Sequence, residues 1–205
     1  MCVQPEESLM QPTLTTGKYE HRRSARLAGD EAPPGSSVTR IEVDPSGRAA
    51  VWTDEGTFAH DDGKWESTAP PGPRPAAELP QPWRGYCREG QAVELARFGD
   101  EAAVVWFHNE LHLVGRDGFS EVMLKDCPAP LRQFHCGSVG PDGTLWLGGR
   151  QGAVCLRHGR WEYYAGPRYL PADEVIDLAA GPEGSAWIAT AEGLAHITRA
   201  TLTLE

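Results

Sequence analysis

Short runs of β-branched, leucine and aromatic residues recur along this chain, each four to six positions long and most bounded by a turn containing Gly, Pro or Asp. The pattern is plainest over residues 134–139, 144–148, 152–157 and 161–165, which are separated by Pro141-Asp142-Gly143, Arg150-Gln151-Gly152 and His158-Gly159. Runs this short joined by turns this tight predict consecutive antiparallel hairpins, and so a four-stranded meander. The same order is predicted over 38–43, 48–53, 57–60 and 64–67, and again over 93–98, 102–107, 111–114 and 119–124. A last copy shows three clear strands at 175–180, 185–189 and 194–198, with no obvious fourth.

The copies share one core segment. Gly47-Arg48-Ala49-Ala50-Val51-Trp52, Glu101-Ala102-Ala103-Val104-Val105-Trp106, Gly143-Thr144-Leu145-Trp146-Leu147-Gly148 and Gly184-Ser185-Ala186-Trp187-Ile188-Ala189 start 54, 42 and 41 residues apart. A period near forty built from four short strands is the mark of blades stacked around a propeller axis. The expected fold is all-β: a small β-propeller of about four four-stranded antiparallel blades. Five blades, or an incomplete propeller fragment, are the alternatives. The repeats cover about 37–68, 92–124, 134–165 and 175–204, following a disordered tail over 1–16.

Two segments compete for the missing outer strand of the last copy. Residues 201–204 stand at the expected distance. The start Gly17-Lys18-Tyr19-Glu20, however, repeats the Gly63-Lys64-Trp65-Glu66 and Gly159-Arg160-Trp161-Glu162 that open outer strands elsewhere. Residues 19–22 are therefore expected to join the last blade and to remove the exposed edge that would otherwise remain.

The run Val175-Ile176-Asp177-Leu178-Ala179-Ala180-Gly181-Pro182-Glu183-Gly184-Ser185-Ala186-Trp187-Ile188-Ala189 resembles the two-component regulator propeller repeat, as does Val139-Gly140-Pro141-Asp142-Gly143-Thr144-Leu145-Trp146-Leu147-Gly148. The first and second copies depart from it, since Trp52 and Trp106 fall two positions later than Trp146 and Trp187. The resemblance implies a β-propeller of the sensory kind, often found outside the membrane in bacterial signalling proteins, with related repeats accompanying carbohydrate-active enzymes. No kinase or membrane segment follows these repeats here, so the signalling role is not carried over.

Composition narrows the partners more than the chemistry. The formal charge is −10, with no clustered Lys or Arg, which opposes a nucleic-acid backbone. No apolar run is long enough for a membrane helix, and the first residues lack the pattern of a signal peptide, so a cytoplasmic protein is expected. Five cysteines form an odd set without a Cys-x-x-Cys pair and are expected to be reduced; a Cys127–Cys136 bridge is the alternative.

Chemistry must come from loops that differ between copies. Turns at Asp54-Glu55, His108-Asn109, Arg150-Gln151 and Ala191-Glu192 share one face with the connections between blades. These connections include the Pro-rich insert 69–91, which is either functional or a polyproline spacer, and Gly166-Pro167-Arg168-Tyr169-Leu170-Pro171. Aromatic and polar residues together suit a sugar or a peptide, which makes Trp83, Arg84, Tyr86, His108, Arg150, Arg168 and Tyr169 the candidate ligand-binding residues.

Neither His108-Asn109-Glu110-Leu111-His112 nor His60-Asp61-Asp62-Gly63 has the ligand spacing of a metal site, and His135-Cys136 are strand neighbours that point to opposite faces. No catalytic residue, metal or cofactor is assigned. The expected function is a non-catalytic recognition module for a small polar ligand or a protein segment. The alternatives are an accessory domain or fragment of a larger protein, which would pair as a homodimer if the ring is incomplete, and a propeller lyase or hydrolase using His108 and Glu192.

Overall fold

The structure, a computed structural model, describes residues 18–27, 31–35, 37–44, 46–69, 89, 92–98, 102–107, 110–115, 118–121, 127–129 and 133–203. The described residues form sixteen strands in four sheets. The first sheet is β2 (Val38–Val43), β3 (Ala49–Thr53), β4 (Gly56–Asp61) and β5 (Lys64–Ser67). The second is β6 (Ala92–Phe98), β7 (Ala102–Phe107), β8 (Glu110–Gly115) and β9 (Gly118–Glu121). The third is β10 (Phe134–Val139), β11 (Leu145–Gly149), β12 (Gly152–Arg157) and β13 (Arg160–Tyr164). The last holds β14 (Val175–Ala180), β15 (Ala186–Thr190) and β16 (Gly193–Thr203), with β1 (Lys18–Leu27) as its outer strand. All pairings are antiparallel, and these sheets are the blades of a β-propeller.

The N-terminal strand does complete the last blade, over a longer span than residues 19–22. Lys18 pairs with Thr203 and Leu27 with Leu194, so ten consecutive residues of β1 are in register with β16. The rival segment 201–204 is not a separate outer strand, because β16 runs on without a turn to Thr203 and residues 201–203 pair with β1. The expected tail over 1–16 and the insert over 70–88 lie outside the described residues.

Local chemistry accounts for the turns. Asp62 and His158 adopt φ values of +44° and +47°, and the glycines that follow them adopt +78° and +73°. Two successive residues at positive φ make the kind of two-residue turn whose twist matches that of the strands it joins, and Asp-Gly tolerates it best. The first strand of every sheet is bulged, between Val38 and Arg40, Phe134 and Cys136, and Val175 and Asp177 at one equivalent place, and between Glu94 and Ala96 two residues further along. The extra residue increases the local twist as each inner strand leaves its neighbour.

Period-two alternation gives each sheet two apolar faces, and the described residues form three seams between them. Leu95, Ala96, Val104 and Leu111 of the second sheet meet Phe134, Leu145, Leu147 and Val154 of the third. Trp146 and Cys155 of the third meet Leu178, Ile188 and Ile197 of the fourth, and Ala179, Trp187 and Ala189 of the fourth meet Val38, Ile41 and Val51 of the first. Side chains as fully buried as Leu147, Ile188 and Val51 each contribute about 1.5–3 kcal/mol.

Polar groups cross the same seams. His135 Nε2 lies 2.6 Å from Val175 O, Ser138 Oγ accepts the Ala180 N–H at 3.0 Å, and Asp177 Oδ2 accepts the Ile41 N–H at 2.8 Å.

Registers explain the displaced tryptophans. Trp52 pairs with Thr57 and Trp106 with Leu111, which are the positions of Gly148 opposite Ala153 and Ala189 opposite Leu194. A shift of two residues keeps an indole on the same face of the sheet. The residues left at the original position are Ala50 and Val104.

Where the tryptophan has not moved, the vacated level is tight. A Cβ on Gly148 would stand 2.6 Å from both Cys136 Sγ and Val175 Cγ1. Gly148→Ala is accordingly expected to destabilise the protein by about 1–3 kcal/mol, the usual effect of overpacking a filled interior. The midpoint of chemical denaturation measures it, and an unchanged midpoint would show that the third and fourth sheets are not held this closely.

Candidate functional site

In a meander of this kind, the turns between second and third strands share one face with the connections between blades. At the seam of the third and fourth sheets this face is well defined. The loop after β13 begins at Gly166, where φ is +71°, and turns back on itself as the Tyr169 and Leu170 N–H groups both donate to Gly166 O at 3.0 Å. Leu170 is fully buried and fixes the loop to the core, and Asp173 ties it down on both sides. Its Oδ1 accepts the Gly166 N–H at 2.6 Å, and its backbone carbonyl accepts the Gly152 N–H at 2.7 Å.

That second bond attaches the loop to the turn that carries Arg150. Three candidates thus share one locality: Arg150 is exposed on the turn, Arg168 is exposed on the loop, and Tyr169 is half-buried beside it. The Arg168 guanidinium lies 5.4 Å above the Tyr169 ring. Tyr169 meets Tyr164 edge-on at 5.4 Å between centroids, and Tyr164 packs on Trp146 at 5.0 Å. An aromatic ladder therefore runs from the buried seam to the surface and ends under a cation, an arrangement that orients planar or polyhydroxyl groups. Trp83, Arg84, Tyr86 and His108 lie outside the described residues.

The remaining chemical candidates sit in structural roles. Glu192 is exposed and its N–H donates to Thr190 Oγ1 at 3.4 Å. His112 is turned into its sheet, with Nε2 3.3 Å from Glu110 Oε2. Cys136 packs against the seam of the third and fourth sheets, and burial, with Asp177 nearby, pushes its thiol up to about 12. A thiol this reluctant to ionise is no nucleophile at neutral pH. Cys127, Cys136 and Cys155 are all free thiols, so the alternative bridge between Cys127 and Cys136 is absent.

Sequence reasoning missed a second aromatic cluster, at the seam of the fourth and first sheets. His196 is stacked on Trp187, with centroids 4.1 Å apart and planes 8° from parallel. On the same indole sits His60, 5.1 Å from Trp187 and 4.9 Å from Trp65, whose Nε1–H donates to Glu31 O at 2.9 Å. His60 was legible only as the start of a turn, because Trp187 and His196, which complete the cluster, are more than a hundred residues away.

Burial, reinforced by His60, pushes His196 down to about 4, and burial likewise lowers His60 against the pull of Asp61. Both rings are therefore neutral in the folded protein at neutral pH.

No protein-family profile matches the chain, and no curated protein matches it. Solved structures similar to it include a propeller and sensor domains, all of low identity. The extracellular domain of a protein assigned as a one-component system in B. thetaiotaomicron is 17% identical, with a TM-score of 0.39, over 86% of this chain and 22% of that one. Virginiamycin B lyase from Staphylococcus aureus is 13% identical over 91% of this chain and 75% of that one, at a TM-score of 0.39. A protein assigned as a gluconolactonase is 14% identical over 90% and 94%, at 0.45. The chain spans about a fifth of the length of the signalling domains it matches.

Because the folded state holds His196 neutral while the unfolded chain takes up a proton near pH 6.5, stability is full above that pH and falls as the pH drops towards 4. The loss is expected to reach about 2–3 kcal/mol, read as unfolding midpoints from pH 7.5 to 4.5. His196→Phe, which keeps a ring on Trp187, should flatten that profile; an equally steep profile in the variant would remove His196 as its source.

Proposed function

We propose that this propeller is a non-catalytic recognition module that binds a small, sugar-like polar ligand on the face bearing Arg150, Arg168 and Tyr169. The observation that carries the reading is the anchored stack of Arg168 on Tyr169. Tyr169 is held by Tyr164 and the loop by Asp173, so the ring offers flat apolar area without loss of freedom on binding, while Arg168 and Arg150 supply directional donors.

The resemblance of the last two repeats to two-component regulator propellers supports the same use, since such repeats build sensory domains. The free thiols at Cys127, Cys136 and Cys155 support a reducing, cytoplasmic setting, and among the described residues no helix is long and apolar enough to cross a membrane.

Titration of the protein with a panel of neutral and acidic mono- and oligosaccharides, followed by NMR, tests this reading. Binding is expected with shifts centred on residues 150–152 and 166–174. Tyr169→Ala should abolish it, and Arg168→Ala should weaken it about tenfold, as loss of one charged contact does, with unfolding midpoints within a few degrees of the parent. No binding across the panel, or binding indifferent to Tyr169→Ala, would refute the site. Conversion of any sugar during the titration would make the protein an enzyme instead.

A further inference from the structure

The turn between the first and second strands repeats one backbone pattern in three sheets, and one copy lacks a group that another possesses. The N–H of Gly140 donates to Thr144 O at 2.8 Å, that of Gly181 to Ser185 O at 2.9 Å, and that of Asp44 to Arg48 O at 3.0 Å. Asp142, Glu183 and Ser46 are therefore equivalent positions. Extending the strand registers past their last pairs makes Arg157, Thr198 and Asp61 equivalent too.

At the seam of the third and fourth sheets, Arg157 fills the notch beside this turn. Its Nε lies 3.7 Å from Asp142 Oδ2, with both side chains half-buried. Gly184 of the next sheet closes over the arginine, its missing Cβ only 3.6 Å from Arg157 Cδ.

At the seam of the fourth and first sheets the same notch is empty. Thr198 stands where Arg157 does, Glu183 replaces Asp142 and Gly47 replaces Gly184. What remains is a cavity of about 340 Å³ lined by Ser46, Glu183, Ser185, His196, Thr198 and Arg199, among others. Glu183 presents its carboxylate from a left-handed backbone, φ +57° and ψ +27°, a conformation uncommon for a residue other than glycine. Among the described residues it has no ion pair.

Arg199 puts a positive group on the wall, and His196, fixed by its stack on Trp187, adds a neutral imidazole. The cavity thus pairs a carboxylate and a guanidinium with three hydroxyls, and it has the room that one arginine side chain occupies in the sister seam.

We propose that this notch binds a guanidinium group carried by a molecule that also bears a carboxylate, the guanidinium taking the place of Arg157 opposite Glu183 and the carboxylate facing Arg199. Free arginine and the C-terminal arginine of a peptide share that chemistry. A planar guanidinium meets a carboxylate through two parallel hydrogen bonds, which an ammonium cannot do, so arginine is favoured over lysine. The notch lies on the face opposite Arg150, Arg168 and Tyr169, and it stands independently of the reading given to them.

Calorimetric titration of the full chain with L-arginine, agmatine and the tripeptide Gly-Gly-Arg provides the test. L-Arginine is expected to bind, agmatine, which lacks the carboxylate, about fivefold or more weakly, and Glu183→Gln is expected to weaken arginine binding about tenfold. Thr198→Arg restores the missing side chain from within; it should abolish binding while leaving the unfolding midpoint unchanged or raised. Equal affinity for Gly-Gly-Arg assigns the site to peptide ends, and no affinity for it assigns the site to the free amino acid. Absence of heat with all three probes up to about 10 mM, or arginine binding undiminished in Thr198→Arg, overturns the proposal. If Thr198→Arg does not fold, binding indifferent to Glu183→Gln overturns it equally.

Discussion

Sheet-on-sheet packing at the seams is the constraint on which the rest of this structure depends. A four-stranded sheet buries little alone, and each sheet here must place apolar side chains on both faces so that a neighbour can cover each. That demand explains why β11 and β15 are buried along their whole length and why their sequences alternate bulk with small residues. Trp146 and Trp187 fill one level of a seam while Gly148 and Ala189 admit the next sheet's inner strand at another. In the second sheet the indole has moved to the second level, where Trp106 meets Phe134 edge-on at 6.0 Å. An indole is kept on the face, and its level is not.

Much of this was legible in the sequence because the signals are local. Strand lengths, the Asp-Gly and His-Gly turns and the two-residue displacement of Trp52 and Trp106 all follow from neighbours within one hairpin. The outer strand at the N-terminus was legible through its likeness to the segments around Lys64 and Arg160. Its full length was not, because β16 runs through Thr198-Arg199-Ala200-Thr201, whose polarity hides the stretch of strand that pairs with β1 alone.

The sites divide along the same line. Arg150, Arg168 and Tyr169 could be nominated as loop residues, yet the features that make them a site, the Tyr164 support and the Asp173 tie, depend on register between separate strands. The His60 and His196 pair on Trp187 was invisible for a stronger reason: the three residues come from two sheets built by opposite ends of the chain. The notch beside Glu183 becomes visible only when positions are matched through hydrogen bonds, since Arg157 and Thr198 share no sequence motif. Repeats thus disclose architecture through what they hold in common and specificity through what one copy omits.

The pairing of β1 with β16 has a bearing on how the molecule is made. On the ribosome, the residues opposite Thr203 to Leu194 are synthesised before the three intervening sheets, and their partners emerge after them. Lys18 to Leu27 must therefore remain without its β16 pairing until the three intervening sheets have been synthesised, and the last blade is assembled from strands that lie on either side of those sheets in the chain. Such distant closure is slow, and the waiting strand is a hazard for misassociation that a nascent chain of this design has to survive.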